Sequence, residues 1–263
     1  MLERLNPQSE HWKVFSADHI ARYQFATAYV ADRVVLDAGC GNGYGSAILM
    51  YQGKSSAVTG VDIDKSTIEQ ASLAWKSHNI DFVVDDCESL SKFKSKTIDV
   101  VVSFENLEHL SNPSGFIAAA YDKLAHNGLL LCSTPDKLAT PDFINGKPAN
   151  PYHCNEWTRD EFLNLLHKDF PGKQIDVMSQ VRSFRSVAME NMMQDIRASQ
   201  CQVSKAVSYT FPGMARRLLG RPRFPQIASQ LSLDSISDYP IVPSIIAKLY
   251  GNAWCHFAIC RKA

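Results

Sequence analysis

This 263-residue chain has no excess of either charge, because 27 Lys and Arg face 27 Asp and Glu. A neutral chain has no general electrostatic grip on a phosphate backbone, so nucleic acid is not the expected partner. No apolar run approaches the ~20 residues that cross a bilayer, which predicts no membrane span. The first residues, MLERLNPQSE, lack the apolar core of a secretion signal. The seven cysteines are odd in number and contain no C-x-x-C pair. That disfavours a zinc ribbon or a disulfide frame and points to free thiols in the cytoplasm. Internal repeats and low-complexity tracts are also missing.

The content that remains is ordinary for a globular protein, at 45% hydrophobic and 21% charged residues. The length suits one substantial core, so residues 1–263 are expected to form one domain with elaborations. Charge is uneven along the chain. Between Ile196 and Leu233 stand Arg197, Lys205, Arg216, Arg217, Arg221 and Arg223 with no acid, which favours an anionic ligand or surface near that segment, or a solvated face balanced elsewhere.

Residues 9–30 carry helical spacing, with Trp12, Phe15, Ile20 and Tyr23 on one stripe. Short apolar runs then alternate with helical patterns. Strands are expected at Val34–Leu36, Ala57–Val61, Phe82–Val84, Ile98–Phe104 and Leu129–Cys132. Helices are expected at Gly43–Met50, Ser66–Ser77 and Pro113–Leu124, and a short one at Glu105–Leu110. This alternation predicts an α/β fold with a parallel sheet covered on both faces. A long loop at 135–157, a helix at Arg159–His167 and strands at Gln174–Val181 and Trp254–Cys260 follow. The roughly 70 residues at 183–252 exceed any hairpin. They read as a helical insertion, with helices near 186–198, 213–219 and 243–250, that caps a site or forms a homodimer contact.

The most informative stretch is Asp37-Ala38-Gly39-Cys40-Gly41-Asn42-Gly43-Tyr44-Gly45, with Asp62 ending the next apolar run. Glycines let backbone approach a ligand closely. The dinucleotide fingerprint G-x-G-x-x-G fails here, because the third position is Tyr44 or Ser46. An acid at the mouth of the turn is a poor neighbour for pyrophosphate and a good one for a cationic ligand. Asp62 sits where ribose hydroxyls are held in doubly wound sheets.

Together, VVLDAGCGNGYGS, VTGVDID, VVDDCESL, IDVVVSFENLEHL and GLLLCSTPDK resemble the successive motifs of class I S-adenosylmethionine-dependent methyltransferases. The resemblance covers roughly residues 1–182 and the last strand. It implies a seven-stranded Rossmann-like sheet with one reversed strand and S-adenosyl-L-methionine as methyl donor. It also implies cofactor contacts at Gly39, Gly41 and Gly43, with Asp37 at the ammonium and Asp62 and Ile63 at the ribose. Asp86 and Cys87 are implied at the adenine, and Phe104 and Glu105 beside the sulfonium. The helix around Arg22 and Tyr23 resembles the opening of bacterial methyltransferases found with polysaccharide and glycoconjugate genes. There Arg22 or Tyr23 would cover the methionine carboxylate.

Glu105, Glu108 and His109 stand at i, i+3 and i+4, so a helix would place them on one face at the carboxyl edge of the sheet. His153, in the loop after the neighbouring strand, is expected to meet them. Two carboxylates and two imidazoles form a ligand set for Mg2+, Mn2+ or Zn2+. The E-x-x-E-H pattern and the later H-x-x-E-W-T-R-x-E-F segment resemble the metal-dependent small-RNA 2′-O-methyltransferases. The first of these also resembles the O-methyltransferases of ubiquinone biosynthesis. Candidate catalytic groups are therefore His109, Glu105 and His153, with His109 as general base if no metal is present.

These observations predict O-methylation of a hydroxyl on a sugar, glycoconjugate or polyol-like small molecule, with the basic run favouring an anionic acceptor and the Glu/His set favouring metal assistance. Two other readings remain. One is N-methylation of an amine or peptide, with Glu105 or Glu108 orienting the nitrogen. The other is a non-catalytic, donor-binding regulatory subunit. A nicotinamide oxidoreductase is disfavoured by the turn spacing. Thr158 and Glu161 predict a capping box without any catalytic role.

Overall fold

A computed structural model describes residues 12, 16–76, 79–139, 148, 150–170, 174–181, 239–243 and 253–262. Helix α1 spans Ala17–Ala26. Strand β1 (Val34–Ala38) leads into α2 (Tyr44–Tyr51), and β2 (Ala57–Asp62) into α3 (Lys65–Ala74). Then come β3 (Asp81–Val84), β4 (Ile98–Phe104), α4 (Pro113–Lys123) and β5 (Leu124–Pro135). Helix α5 (Arg159–Asp169), β6 (Gln174–Val181), β7 (Ile241–Pro243) and β8 (Ala253–Arg261) complete the described elements.

The described strands form one sheet in the order β3-β2-β1-β4-β5-β8-β6-β7. The first five pair in parallel, while β8 runs antiparallel to both β5 and β6. The expected α/β sheet is therefore present, with eight strands instead of seven. The extra one, β7, is three residues from the end of the insertion that pair antiparallel with Met178–Gln180 on the edge. The rest of the insertion, including its three expected helices and the basic run from Arg197 to Arg223, lies outside the described residues.

Alternation along the strands builds two cores. Leu36, Val101, Leu130 and Cys132 face one side, where Phe116 and Ile117 of α4 and Phe162 and Leu166 of α5 cover them. Val35, Val100, Val102, Leu129 and Leu131 face the other, under Tyr23 and Ala26 of α1 and Leu49 of α2. Helices on both faces leave the carboxyl edges of β1–β4 open for a site.

Local chemistry sets the helix starts. Asp64 caps α3 by accepting from the amides of Ser66 and Thr67. The expected capping box opens α5, with Thr158 accepting from the Glu161 amide and Glu161 accepting from the Thr158 amide. One expectation fails. Residues 105–110 make only a single 3-10 turn, Leu107–His109, preceded by Glu105 in the left-handed region at φ 51°. Glu105, Glu108 and His109 therefore do not share a helix face.

Candidate active site

The turn after β1 is held open by its glycines. Gly39, Gly41 and Gly43 have φ of 79°, 52° and 77°, a region that side-chain-bearing residues rarely occupy. A Cβ on Gly43 would lie 2.6 Å from Phe82 Cζ, and one on Gly39 2.6 Å from Asn106 Cγ. A Cβ on Gly41 would meet nothing within 4 Å, because that glycine borders open space. Gly45 has another role: a Cβ there would sit 2.0 Å from Tyr23 Cζ, so its absence lets Tyr23 lie over α2. The Trp75 indole donates to the Asn42 carbonyl at 2.9 Å and pins the turn from outside.

Around this turn lies a cavity of about 520 Å3, within the range for small-molecule sites. Its wall includes Gly39, Gly41, Asp62, Ile63, Asp86 and Cys87, all expected donor contacts. Phe104, Glu105, Tyr23 and His109 close the other end. Asp62 accepts from the Gly41 amide at 3.2 Å and the Asp64 amide at 2.9 Å, tying the two turns together. The Asp85-Asp86 pair divides its labour. Asp85 is buried and accepts from Ser91 Oγ and the Lys92 amide, while Asp86 lines the cavity. Burial pushes the Cys87 thiol up to about 12, so it stays protonated. The glycine cradle, the cavity and Asp62 fit an adenosine-containing donor.

Asp37 and Gly43, both expected donor contacts, are not among the residues that line the cavity. Asp37 is fully buried outside the cavity wall, where it accepts from Tyr23 Oη at 3.0 Å and Ser46 Oγ at 2.6 Å. Burial raises its pKa to about 6, with those two hydrogen bonds opposing the rise. Its hydrogen bond holds Tyr23 in place. Arg22 is also fully buried, and it pairs with Asp18 at 3.2 Å and Glu105 at 3.9 Å. It donates to Gln180 Oε1 as well, so its guanidinium is committed away from the wall. Tyr23 does line the cavity, edge-on to Tyr44 and Phe104.

Glu105 departs from its expected place among metal ligands. Its Oε1 accepts from Ser133 Oγ at 2.9 Å and Cys255 Sγ at 3.2 Å, and its Oε2 faces Arg22. Burial alone would raise its pKa, but Arg22 and then His19 outweigh it and hold the group below the ordinary value. The left-handed backbone at residue 105, not helical φ/ψ, turns this side chain away from Glu108.

The other three expected ligands do come together. One ligand atom each from Glu108, His109 and His153 lies within 4.8 Å of the others. The two imidazole centroids are 4.9 Å apart. Backbone hydrogen bonds dock the distant loop: the amides of Cys154 and Asn155 donate to the Glu108 carbonyl at 2.7 and 3.2 Å. His109 Nδ1 lies 3.1 Å from the Tyr152 carbonyl, which can only accept. That contact places the proton on Nδ1 and leaves Nε2, 3.9 Å from Glu108 Oε1, as the basic nitrogen. His153 Nδ1 lies 2.7 Å from Glu156 Oε1. A carboxylate behind an imidazole is the usual arrangement for orienting a ligating histidine. Asn150 Nδ2 lies 2.9 Å from His153 Nε2, a contact that a cation would replace.

Glu108 is 1% exposed and accepts from Thr134 Oγ1 at 3.1 Å. Among the described residues it makes no ion pair with lysine or arginine. Burial, and next the charge of Glu105, push its pKa well above the ordinary value. A buried carboxylate beside two imidazoles is the donor set a divalent cation would complete, so the residues fit such an ion. Tyr44, Asn106 and Tyr152 also line the cavity, and the sequence did not single them out. Only the half-exposed Tyr152 had a signal, its place beside His153.

Comparison with known proteins bears on the family and the fold. Residues 36–132 match the family model described as a methyltransferase domain. A probable S-adenosylmethionine-dependent methyltransferase of Mycobacterium tuberculosis is 26% identical over 242 residues, covering 91% of this chain and 81% of the relative. The ubiquinone biosynthesis O-methyltransferase of Psychrobacter arcticus is 30% identical over 144 residues, 51% of this chain and 54% of the relative. Among solved structures, a methyltransferase of Thermotoga maritima, described as a possible histamine N-methyltransferase, superposes with a TM-score of 0.58. It is 13% identical and covers 97% of this chain and 92% of its own, a likeness of fold.

Proposed function

The chain is a class I S-adenosylmethionine-dependent methyltransferase, and on that premise we propose that it methylates a hydroxyl of a sugar, glycoconjugate or polyol-like small molecule with help from a divalent cation. The observation that carries this reading is the Glu108–His109–His153 cluster, whose His109 lines the cavity. The O-methyltransferase relatives support oxygen as the acceptor atom. The six-cation segment between Ile196 and Leu233 supports an acceptor that carries negative charge.

When bound, S-adenosylmethionine supplies a methyl group on a sulfonium, and a chelated cation lowers the pKa of a hydroxyl bound to it. The chain's own residues supply the rest. The glycine turn and Asp62 seat the donor, and Tyr23, held by Asp37 and Gly45, closes over it. Glu108, His109 and His153 would hold the cation, with Glu156 and the Tyr152 carbonyl fixing the two imidazoles. His109, which lines the cavity, also offers Nε2 as a base for a leaving hydroxyl proton. Positioning of this kind is the main contribution an enzyme makes to in-line displacement.

A screen of sugars, polyols and amines with labelled donor, run with Mn2+ and with chelator, tests the reading. Label transfer to hydroxyl compounds that stops in chelator supports it, and transfer confined to amines refutes it.

A further inference from the structure

We infer that Glu105 is the residue by which the site distinguishes a cationic sulfonium donor from its neutral thioether product. The inference rests on the reading of the cavity as the donor site.

Strand order sets the layout of the cavity. Asp86 and Cys87 follow β3, Asp62 and Ile63 follow β2, the glycine turn follows β1, and Phe104 and Glu105 end β4. With ribose hydroxyls at Asp62, the adenine extends toward β3 and the rest of the donor toward β1 and β4. The reacting sulfur therefore lies on the Glu105 side. Glu105 is the carboxylate in the wall there, because Asp37 and Glu108 lie outside the wall.

The neighbours leave that carboxylate charged. Arg22, fully buried, serves both Asp18 and Glu105, so two carboxylates share one guanidinium. His19 lies 3.8 Å from Asp18, and burial holds its pKa down against the pull of Asp18. Tyr44 and Cys255 also face this group, and burial keeps both protonated. Glu105 further holds a left-handed backbone that costs ~1–3 kcal/mol in a residue other than glycine. Strain maintained beside a ligand cavity fits a specific role for the side chain it aims.

Methyl transfer breaks the S–CH3 bond and leaves its electron pair on sulfur, while the acceptor oxygen takes the methyl and gives up its proton. The ligand's positive charge at sulfur disappears. An anion in the wall therefore attracts the donor and has no such hold on the product.

The test is calorimetric binding of S-adenosylmethionine and S-adenosylhomocysteine, with no acceptor present, to the wild type and to Glu105→Gln. The expected result is about tenfold weaker donor binding in Glu105→Gln with product binding changed by less than about twofold. Equal weakening of both ligands, or no change in either, overturns the inference alone. Failure of the wild type to bind either ligand overturns the donor reading and the inference with it. If Glu105→Gln strands Arg22 and does not fold, Arg22→Met/Glu105→Gln removes both halves of the pair. It must show the same selective loss, and an unchanged ratio of affinities would contradict the inference.

Discussion

Glu105 and Glu108, three residues apart at the end of one strand, hold their protons in opposite ways. Arg22, Ser133 and Cys255 keep Glu105 ionised, whereas burial and the Glu105 charge itself favour the protonated form of Glu108. Such splitting of a carboxylate pair is how a site assigns different tasks to identical groups. One glutamate is a fixed charge of the donor wall. The other is an uncompensated acid that a cation would stabilise.

The first prediction concerns that cation. Thermal unfolding of the wild type should shift upward as Mn2+ is added, by ~2.7 kcal/mol of stability at one hundred times the dissociation constant. Glu108→Gln and His153→Ala should abolish the shift while donor binding survives. Glu156→Gln, which frees the His153 ring, should weaken the ion by about 10–100-fold. Equal shifts in all four proteins would remove the cation from the account.

Asp37 carries a pH signature. Its folded pKa, near 6, lies above its unfolded value, so the folded state keeps a proton that the unfolded chain releases. Stability from this group is full below about pH 4 and is lost as pH rises toward 6. The loss is about 2–3 kcal/mol at ~1.4 kcal/mol per pKa unit. Asp37→Asn should therefore gain on the wild type across that window, and denaturant melts at pH 4, 5, 6 and 7 measure the gap. A gap that stays constant with pH would show that Asp37 does not titrate there.

Glycines of the turn should respond differently to alanine. Gly45→Ala drives a Cβ into the Tyr23 ring and should displace that ring from the donor wall. Donor affinity is expected to fall by at least about tenfold, or ~1.4 kcal/mol. Gly41→Ala meets no protein atom, so its stability cost is that of its left-handed backbone, ~1–2 kcal/mol, while its Cβ would stand at the cavity wall and weaken the donor without moving Tyr23. Donor titrations and urea melts on the two variants separate these effects.

Gln180 joins three parts of the protein. Its amide nitrogen donates to the carbonyls of Asp18 at 3.0 Å and Tyr239 at 3.3 Å, and its oxygen accepts from Arg22. Gln180→Leu leaves these buried groups without that partner, at ~1–3 kcal/mol each for the ones that find no substitute. Urea denaturation should show a loss of at least about 2 kcal/mol, larger than an exposed substitution such as Gln52→Leu gives. Equal losses would mean the junction contributes little.

Much of the donor half was legible in the sequence, because strands β1–β5 are apolar runs and the glycine turn has a spacing tied to its geometry. Asp62 and Asp86 followed from their places after strands. The acceptor half was harder to read. The left-handed φ of Glu105 leaves no mark in residue type, so E-x-x-E-H looked like one helix face. The loop bearing His153 is docked through backbone amides of Cys154 and Asn155, which any residue but proline could supply. Asp37 shows the same limit, since an acid lining a cavity and an acid buried beside it are spelled alike. Strand β7 was missed because three residues carry no period.

The most direct measurement is carbon NMR of the product formed from donor labelled with 13C in its methyl group, using an acceptor from the screen. The account predicts an oxygen-bound methyl resonance that disappears in excess chelator and returns with Mg2+, Mn2+ or Zn2+. A nitrogen-bound methyl, or an oxygen-bound one that forms undiminished in chelator, would contradict it.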